Sequence, residues 1–183
     1  MSIWIRVVCR SSVADITPEA LRAGIEERLT HLAKVYGEAG AEETTKLLTV
    51  EKGREPKSKT ADDSEFQVYQ LRWKTDQAKA VRIERWIDDR AEEEVGELRD
   101  WLEDYMAQEE DDEGCEEISR ALEGAEETVG LELKSTDTEG IGWAVLMAAA
   151  HFLAVKGEGI IRAEGEGWLA PEGGELRHVL EAD

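Results

Sequence analysis

The chain is short of three things that would have narrowed its class at once. It has 2 cysteines in 183 residues, Cys9 and Cys115. One lies in an apolar N-terminal run and the other among acids, so they make no disulfide framework, and free thiols in a reducing compartment are expected. It has 3 prolines, too few for a proline-rich linker. Bases are the third shortage, 22 Lys and Arg against 43 Asp and Glu, which leaves a net charge of −21. Such a surface repels nucleic-acid phosphates and anionic lipid heads, so neither nucleic acid nor membrane is expected as a partner. It attracts cations and basic proteins and can steer them in; acidity also serves solubility alone.

Long hydrophobic runs are missing too. The longest, IGWAVLMAAAHFLAV, is 15 residues and contains His151, whereas a bilayer span needs about 20. The opening MSIWIRVVCRSS has no apolar stretch of signal-peptide length. A soluble, cytoplasmic protein is expected. Motifs that carry chemistry are equally scarce. There is no GxSxG, P-loop or CxxC, and Gly157, Gly159, Gly165 and Gly167 follow a helix rather than open one, which suits turns and not phosphate binding. His31, His151 and His178 do not pair at metal-ligand spacing. His151, inside the apolar run, reads as a hydrogen-bonded core histidine. Cys9 could act as a nucleophile only with a base brought to it by the fold. Acids are so numerous that carboxylate pairs carry no signal. The expectation is a non-enzymatic protein with no catalytic residue, metal or cofactor.

What is present is regular patterning and 6 tryptophans, which argue for a packed core. Ile3, Ile5 and Val7 alternate in a strand over 2–10. Thr17 or Asp15 caps a helix with Pro18 at its first position; Leu21, Ile25, Leu29, Leu32 and Val35 form its apolar face, and Gly37 its stop. Strands are predicted at 46–53, 66–74 and 79–87, the last two as a hairpin, with a polar loop over 54–64. A helix follows from 88, a short helix near 117–122, a strand over 128–135, and a helix over 140–157 that is apolar almost all round and should be the most buried. Two strand pieces flank Gly165 to Gly167, and ELRHVLEAD ends the chain as a short helix or frayed tail. The order β-α-β-β-β-α-(α)-β-α-β indicates one α+β domain, a mostly antiparallel sheet with helices packed on one face. Trp73, Trp86, Trp143 and Trp168 read as core, Trp4 and Trp101 as candidate interface anchors.

The charge is not spread evenly. Residues 88–117, DDRAEEEVGELRDWLEDYMAQEEDDEGCEE, hold 16 acids and 2 bases. Val95, Leu98, Trp101, Leu102, Tyr105 and Met106 recur at helical spacing, so an amphipathic helix is predicted to dock by its apolar side and to show water a row of carboxylates, then to run into an acidic loop. The basic residues Arg72, Lys74, Arg82 and Arg85 of the hairpin are candidates to neutralise part of it. The loop fails as a calcium site: an EF-hand starting at Glu109 would need a bidentate Glu at its twelfth position, where Arg120 stands.

In size, acidity and lack of catalytic motifs, and in the helix 88–106, the loop EEDDEGCEE (109–117) and the closing GIIRAEGEGWLAP, the chain resembles the small acidic immunity proteins that protect bacteria from toxins. The resemblance implies an inhibitor that occupies the basic active site of a toxin domain with carboxylates beside an aromatic anchor. The partner-binding residues it points to are Asp100, Trp101, Glu103, Asp104, Glu109, Glu110, Asp111, Asp112 and Glu113, with Tyr105 nearby. Two alternatives are a DNA mimic that blocks nucleic-acid-binding proteins and an enzyme whose site is not recognisable from sequence.

Overall fold

The structure, a computed structural model, describes residues 2–53, 68–75, 77, 79–107, 113–134 and 139–182, with residues 2, 133 and 134 described by their backbone alone. Its centre is the N-terminal strand β1 (Ser2–Cys9). Val7, Val8 and Cys9 are consecutive and fully buried, the mark of a strand covered on both faces. Ile5 and Val7 enter one core, Val8 the other. β1 pairs with β5 (Glu127–Lys134) on one side and β6 (Ile160–Ala163) on the other.

Beyond β5 lie β4 (Val81–Trp86), β3 (Val68–Arg72) and β2 (Thr49–Lys52); beyond β6 lie β7 (Gly167–Glu172) and β8 (Glu175–Glu181). Among the described residues the eight strands form one sheet in the order β2-β3-β4-β5-β1-β6-β7-β8, every pair antiparallel. The predicted α+β class with an antiparallel sheet is what the structure shows.

The first face carries a row of directly opposed apolar residues: Tyr69 and Ile83, Ile83 and Leu131, Leu131 and Ile5. Two helices cover it, α1 (Pro18–Val35) and α5 (Gly142–Lys156). α1 starts as predicted, with Pro18 at the first position and the Thr17 hydroxyl accepting from the Ala20 N–H at 3.1 Å. α5 is the most deeply buried helix, its residues from Ala144 to Ala154 all inside, because Lys156 is its only charged residue. The two helices approach closely at Gly24, where an added Cβ would lie 2.1 Å from the Phe152 ring.

The second face carries Val8, Ile160, Trp168 and Leu180, covered by α3 (Asp88–Met106) and α4 (Glu113–Glu123). Helices therefore pack on both faces, not on one as the element order suggested. Three further expectations change. Residues 46–53 are not one strand: Gly40, at φ 90°, opens a short helix α2 (Ala41–Leu47), and only Thr49–Lys52 is extended. Glu42 and Glu43 in its first turn and Lys46 in its last suit the helix dipole. Residues 175–181 are strand β8, neither helix nor tail, paired with β7 at the edge of the sheet. Val35, the last residue of α1, is 62 % exposed and not part of the buried face. Phe66 and the loop 54–64 lie outside the described residues.

Beneath the 10–17 loop is a buried ionic network. Glu127 accepts from Arg85 Nε at 2.8 Å, from the Ser12 hydroxyl at 2.6 Å and from the Val13 N–H at 3.1 Å. Arg85 and Glu127 side chains are only 10 % and 5 % exposed. With its oxygens satisfied on both sides, the pair locks the loop to the sheet, and the Tyr69 hydroxyl donates to the Ile16 carbonyl alongside.

Candidate functional site

α3 is amphipathic as its spacing predicts. Ala91, Val95, Leu98 and Leu102 are buried and pack with Cys115, Ile118 and Leu122 of α4 over the second sheet face. Met106 is 43 % exposed, and Trp101 and Tyr105 are half-buried. Asp88 and Asp89 lie in the first turn, where the N-terminal partial charge favours them. The last turn holds Glu103 and Asp104 and no base, against the preference of the C-terminal end for cations.

Neutralisation within the molecule is selective. Glu94 points to the sheet, is almost fully buried, and is held by Arg6 at 2.7 Å and Arg90 at 2.9 Å. Arg6 also reaches Glu97 at 3.9 Å, and Arg90 reaches Glu93 at 2.9 Å. The second base of the helix, Arg99, is diverted: it donates to the Leu122 carbonyl at 2.8 Å and so caps the end of α4. The exposed Glu92, Asp100 and Glu103 make no ion pair among the described residues; Asp104 is exposed and has an interaction of its own. The expected neutralisers from the hairpin go elsewhere. Arg82 pairs with Glu84, Arg85 with Glu127, and Arg72 donates to the Gln77 carbonyl. They belong to strands whose own neighbours and loops take them up before α3 is reached.

Of the predicted binding residues, the structure places Asp100, Trp101, Glu103 and Asp104 on the outer and flanking sides of α3. Glu113 is exposed at the start of α4. Glu109, Glu110, Asp111 and Asp112 lie outside the described residues. The segment from Glu113 is helix rather than loop, and it buries Cys115 in the second core.

Trp101 belongs partly to that core and partly to the surface. Its ring stacks on Tyr105 at 5.4 Å, meets the buried Trp168 at 6.0 Å, and lies 4.8 Å from the Arg162 guanidinium. Trp4, also half-buried, meets Trp86 at 5.9 Å and Arg6 at 5.8 Å. Trp73, Trp86 and Trp168 are core as predicted; Trp143 is only half-buried, its Nε1–H donating to Glu166 at 3.1 Å.

One feature the sequence reading missed is a groove of about 480 Å³ between α3 and the start of β5, lined by Asp88, Ala91, Glu92, Val95, Arg99, Ala125 and Glu126. Its lining is mostly polar, with Ala91, Val95 and Ala125 among it, and three of its carboxylates, Asp88, Glu92 and Glu126, make no ion pair among the described residues. Asp88 and Glu92 are one helical turn apart and thus legible; Ala125 and Glu126 join them only through the fold. Asp88 also sits at φ +48°, where non-glycine residues are uncommon.

The other reactive groups are arranged for structure. Burial pushes the Cys9 thiol up to about 12, with the Glu127 charge adding and Arg85 opposing, so it stays protonated and unreactive at neutral pH. His151 is fully buried as expected but is not hydrogen-bonded: neither nitrogen finds a partner among the described residues. No group of three or more His, Cys, Asp or Glu among the described residues could hold a metal ion, and no helix among them is long and apolar enough to cross a membrane. No protein-family model, curated protein or solved structure matches the chain.

Proposed function

We propose that this is a non-enzymatic, cytoplasmic inhibitor that neutralises a basic protein, in the manner of a bacterial immunity protein, by presenting α3. The observation that carries the reading is the unbalanced charge of that helix. Arg6 and Arg90 neutralise its inner carboxylates, while Glu92, Asp100 and Glu103 stay open to solvent without a counter-ion among the described residues. Glu103 lies at the helix end that disfavours anions. An acidic row kept in that position is stabilised by a cationic partner. Trp101, half-exposed beside Asp100 and Asp104, supplies the aromatic contact that typically anchors such an interface. The groove that Glu92 lines offers three carboxylates and the apolar Ala91, Val95 and Ala125 to one long basic side chain. The DNA-mimic alternative is less well supported, because Arg6 interrupts the row at Glu94 and Glu97.

Affinity capture from the native host at low salt should recover one basic protein, released as salt is raised. The double reversal Asp100→Lys, Glu103→Lys should abolish capture while leaving the fold intact. Unchanged capture by that variant would overturn the acidic-face reading, and recovery of several unrelated DNA-binding proteins displaced by DNA would favour the mimic.

A further inference from the structure

The second sheet face holds a cation whose chemistry is unfinished. Arg162 on β6 stands directly opposite Arg6 on β1. Arg6 is neutralised by Glu94 at 2.7 Å. Arg162 makes no ion pair among the described residues; its one hydrogen bond runs from Nη1 to the carbonyl of the next residue, Ala163, at 3.3 Å. The guanidinium is half-buried beside two indoles, 4.8 Å from the Trp101 centroid and 5.8 Å from that of Trp168. Burial lowers its pKa, Glu164 opposes this, and Arg6 adds to it. The ring faces offset part of the charge but accept no in-plane hydrogen bonds. Its remaining N–H groups are not sealed from water and have no hydrogen-bond partner among the described residues, so donors of the planar fork remain available beside the Trp101 ring.

We infer that Arg162, walled by Trp101, is a binding site for a carboxylate. A guanidinium fork matches the two oxygens of a carboxylate in one plane. A single charge is left to balance here, and Glu164 is near enough to act on the guanidinium and so to repel a second negative charge, so a monoanion fits better than a phosphate dianion. The Trp101 face favours a carboxylate attached to a flat or apolar group. The site lies on the opposite flank of α3 from the acidic groove and does not depend on the basic-partner reading.

The test is NMR of the full chain, following the Arg162 Nε–H and the Trp101 indole N–H during titration with acetate, benzoate or phosphate at constant ionic strength against chloride. Both signals should move saturably with acetate, and at lower concentration with benzoate. Arg162→Gln should remove the Trp101 response, and Arg162→Lys, which keeps the charge but not the fork, should weaken binding about ten-fold. The indole signals of Trp73, Trp86 and Trp143, unchanged in the anion-free variants, confirm that each still folds. The proposal is overturned if neither signal saturates, or if Trp101 responds equally in Arg162→Gln. Phosphate binding as tightly as acetate would overturn the carboxylate assignment.

Discussion

Removing His151 should make the protein more stable. It sits on α5 with 0 % of its surface exposed, and neither ring nitrogen has a hydrogen-bond partner among the described residues. Burial lowers its pKa from 6.5 to about 4, with Arg28 and His31 of α1 pushing the same way and Glu27 opposing. The ring is therefore neutral in the fold at pH 7 and carries two polar atoms unpaired among the described residues. Leucine has a similar volume and no polar atom. Leaving a buried polar group unpaired costs about 1–3 kcal/mol, so His151→Leu should gain about 1–2 kcal/mol at pH 7. The pH dependence is the sharper test. Below pH 6.5 the unfolded chain binds a proton at His151 that the fold refuses until about 4, so the wild type loses stability as pH falls through that window. At about 1.36 kcal/mol per pH unit, the loss reaches about 2.5 kcal/mol at pH 4.5. His151→Leu escapes it. Urea unfolding of both chains at pH 7, 5.5 and 4.5, followed by tryptophan fluorescence, should show the gap between them widening by that amount. Carboxylates that titrate over the same range are common to both and cancel. A gap that stays constant with pH would refute the reasoning.

Three further outcomes are expected. Glu127→Gln should lower stability by about 3–5 kcal/mol in chemical denaturation, because it leaves the Arg85 charge buried without its partner. Burial alone would raise the Glu127 pKa, but the hydrogen bonds from Arg85, Ser12 and the Val13 N–H outweigh it and hold it below 4.5; its contribution is present above 4.5 and is lost as pH falls through the lowered value. Gly24→Ala should lower the melting temperature, with a loss of about 1–3 kcal/mol from displacing the Phe152 ring, and Phe152→Leu in the same chain should recover part of it. Glu103→Lys should raise thermal stability by about 0.3–1 kcal/mol through the α3 dipole, while weakening partner capture.

Parts of the fold were legible because local physics decides them. The Thr17 cap, Pro18 and the apolar series fix α1 whatever it packs against, and α5 announces its burial by lacking charge up to Lys156. The two-sided sheet had a signal too: Val7-Val8-Cys9 and the buried run Gly167 to Ala170 leave no polar face. The period-2 reading of residues 3–7 masked it. The residues 41–47 misled because Leu47 and Leu48 resemble the start of a strand, whereas Gly40 and the charges on either side of Thr44 favour a turn of helix. β8 was missed because its exposure does not alternate, only Leu180 being buried, and its edge position is one that no local pattern encodes.

The candidate site divides along the same line. Composition and spacing alone determined that residues 88–106 form a helix with carboxylates outward and leucines inward, because periodicity and charge are properties of the local chain. Which carboxylates remain available was decided by tertiary structure, since an ion pair requires proximity that sequence distance does not encode. Glu94 is claimed by Arg6, 88 residues away, Arg99 turns to Leu122, and the hairpin arginines are taken up elsewhere. The same holds for Arg162: its lack of an ion pair among the described residues and its place against Trp101 arise only because β6 lies beside β1 and α3 crosses above them.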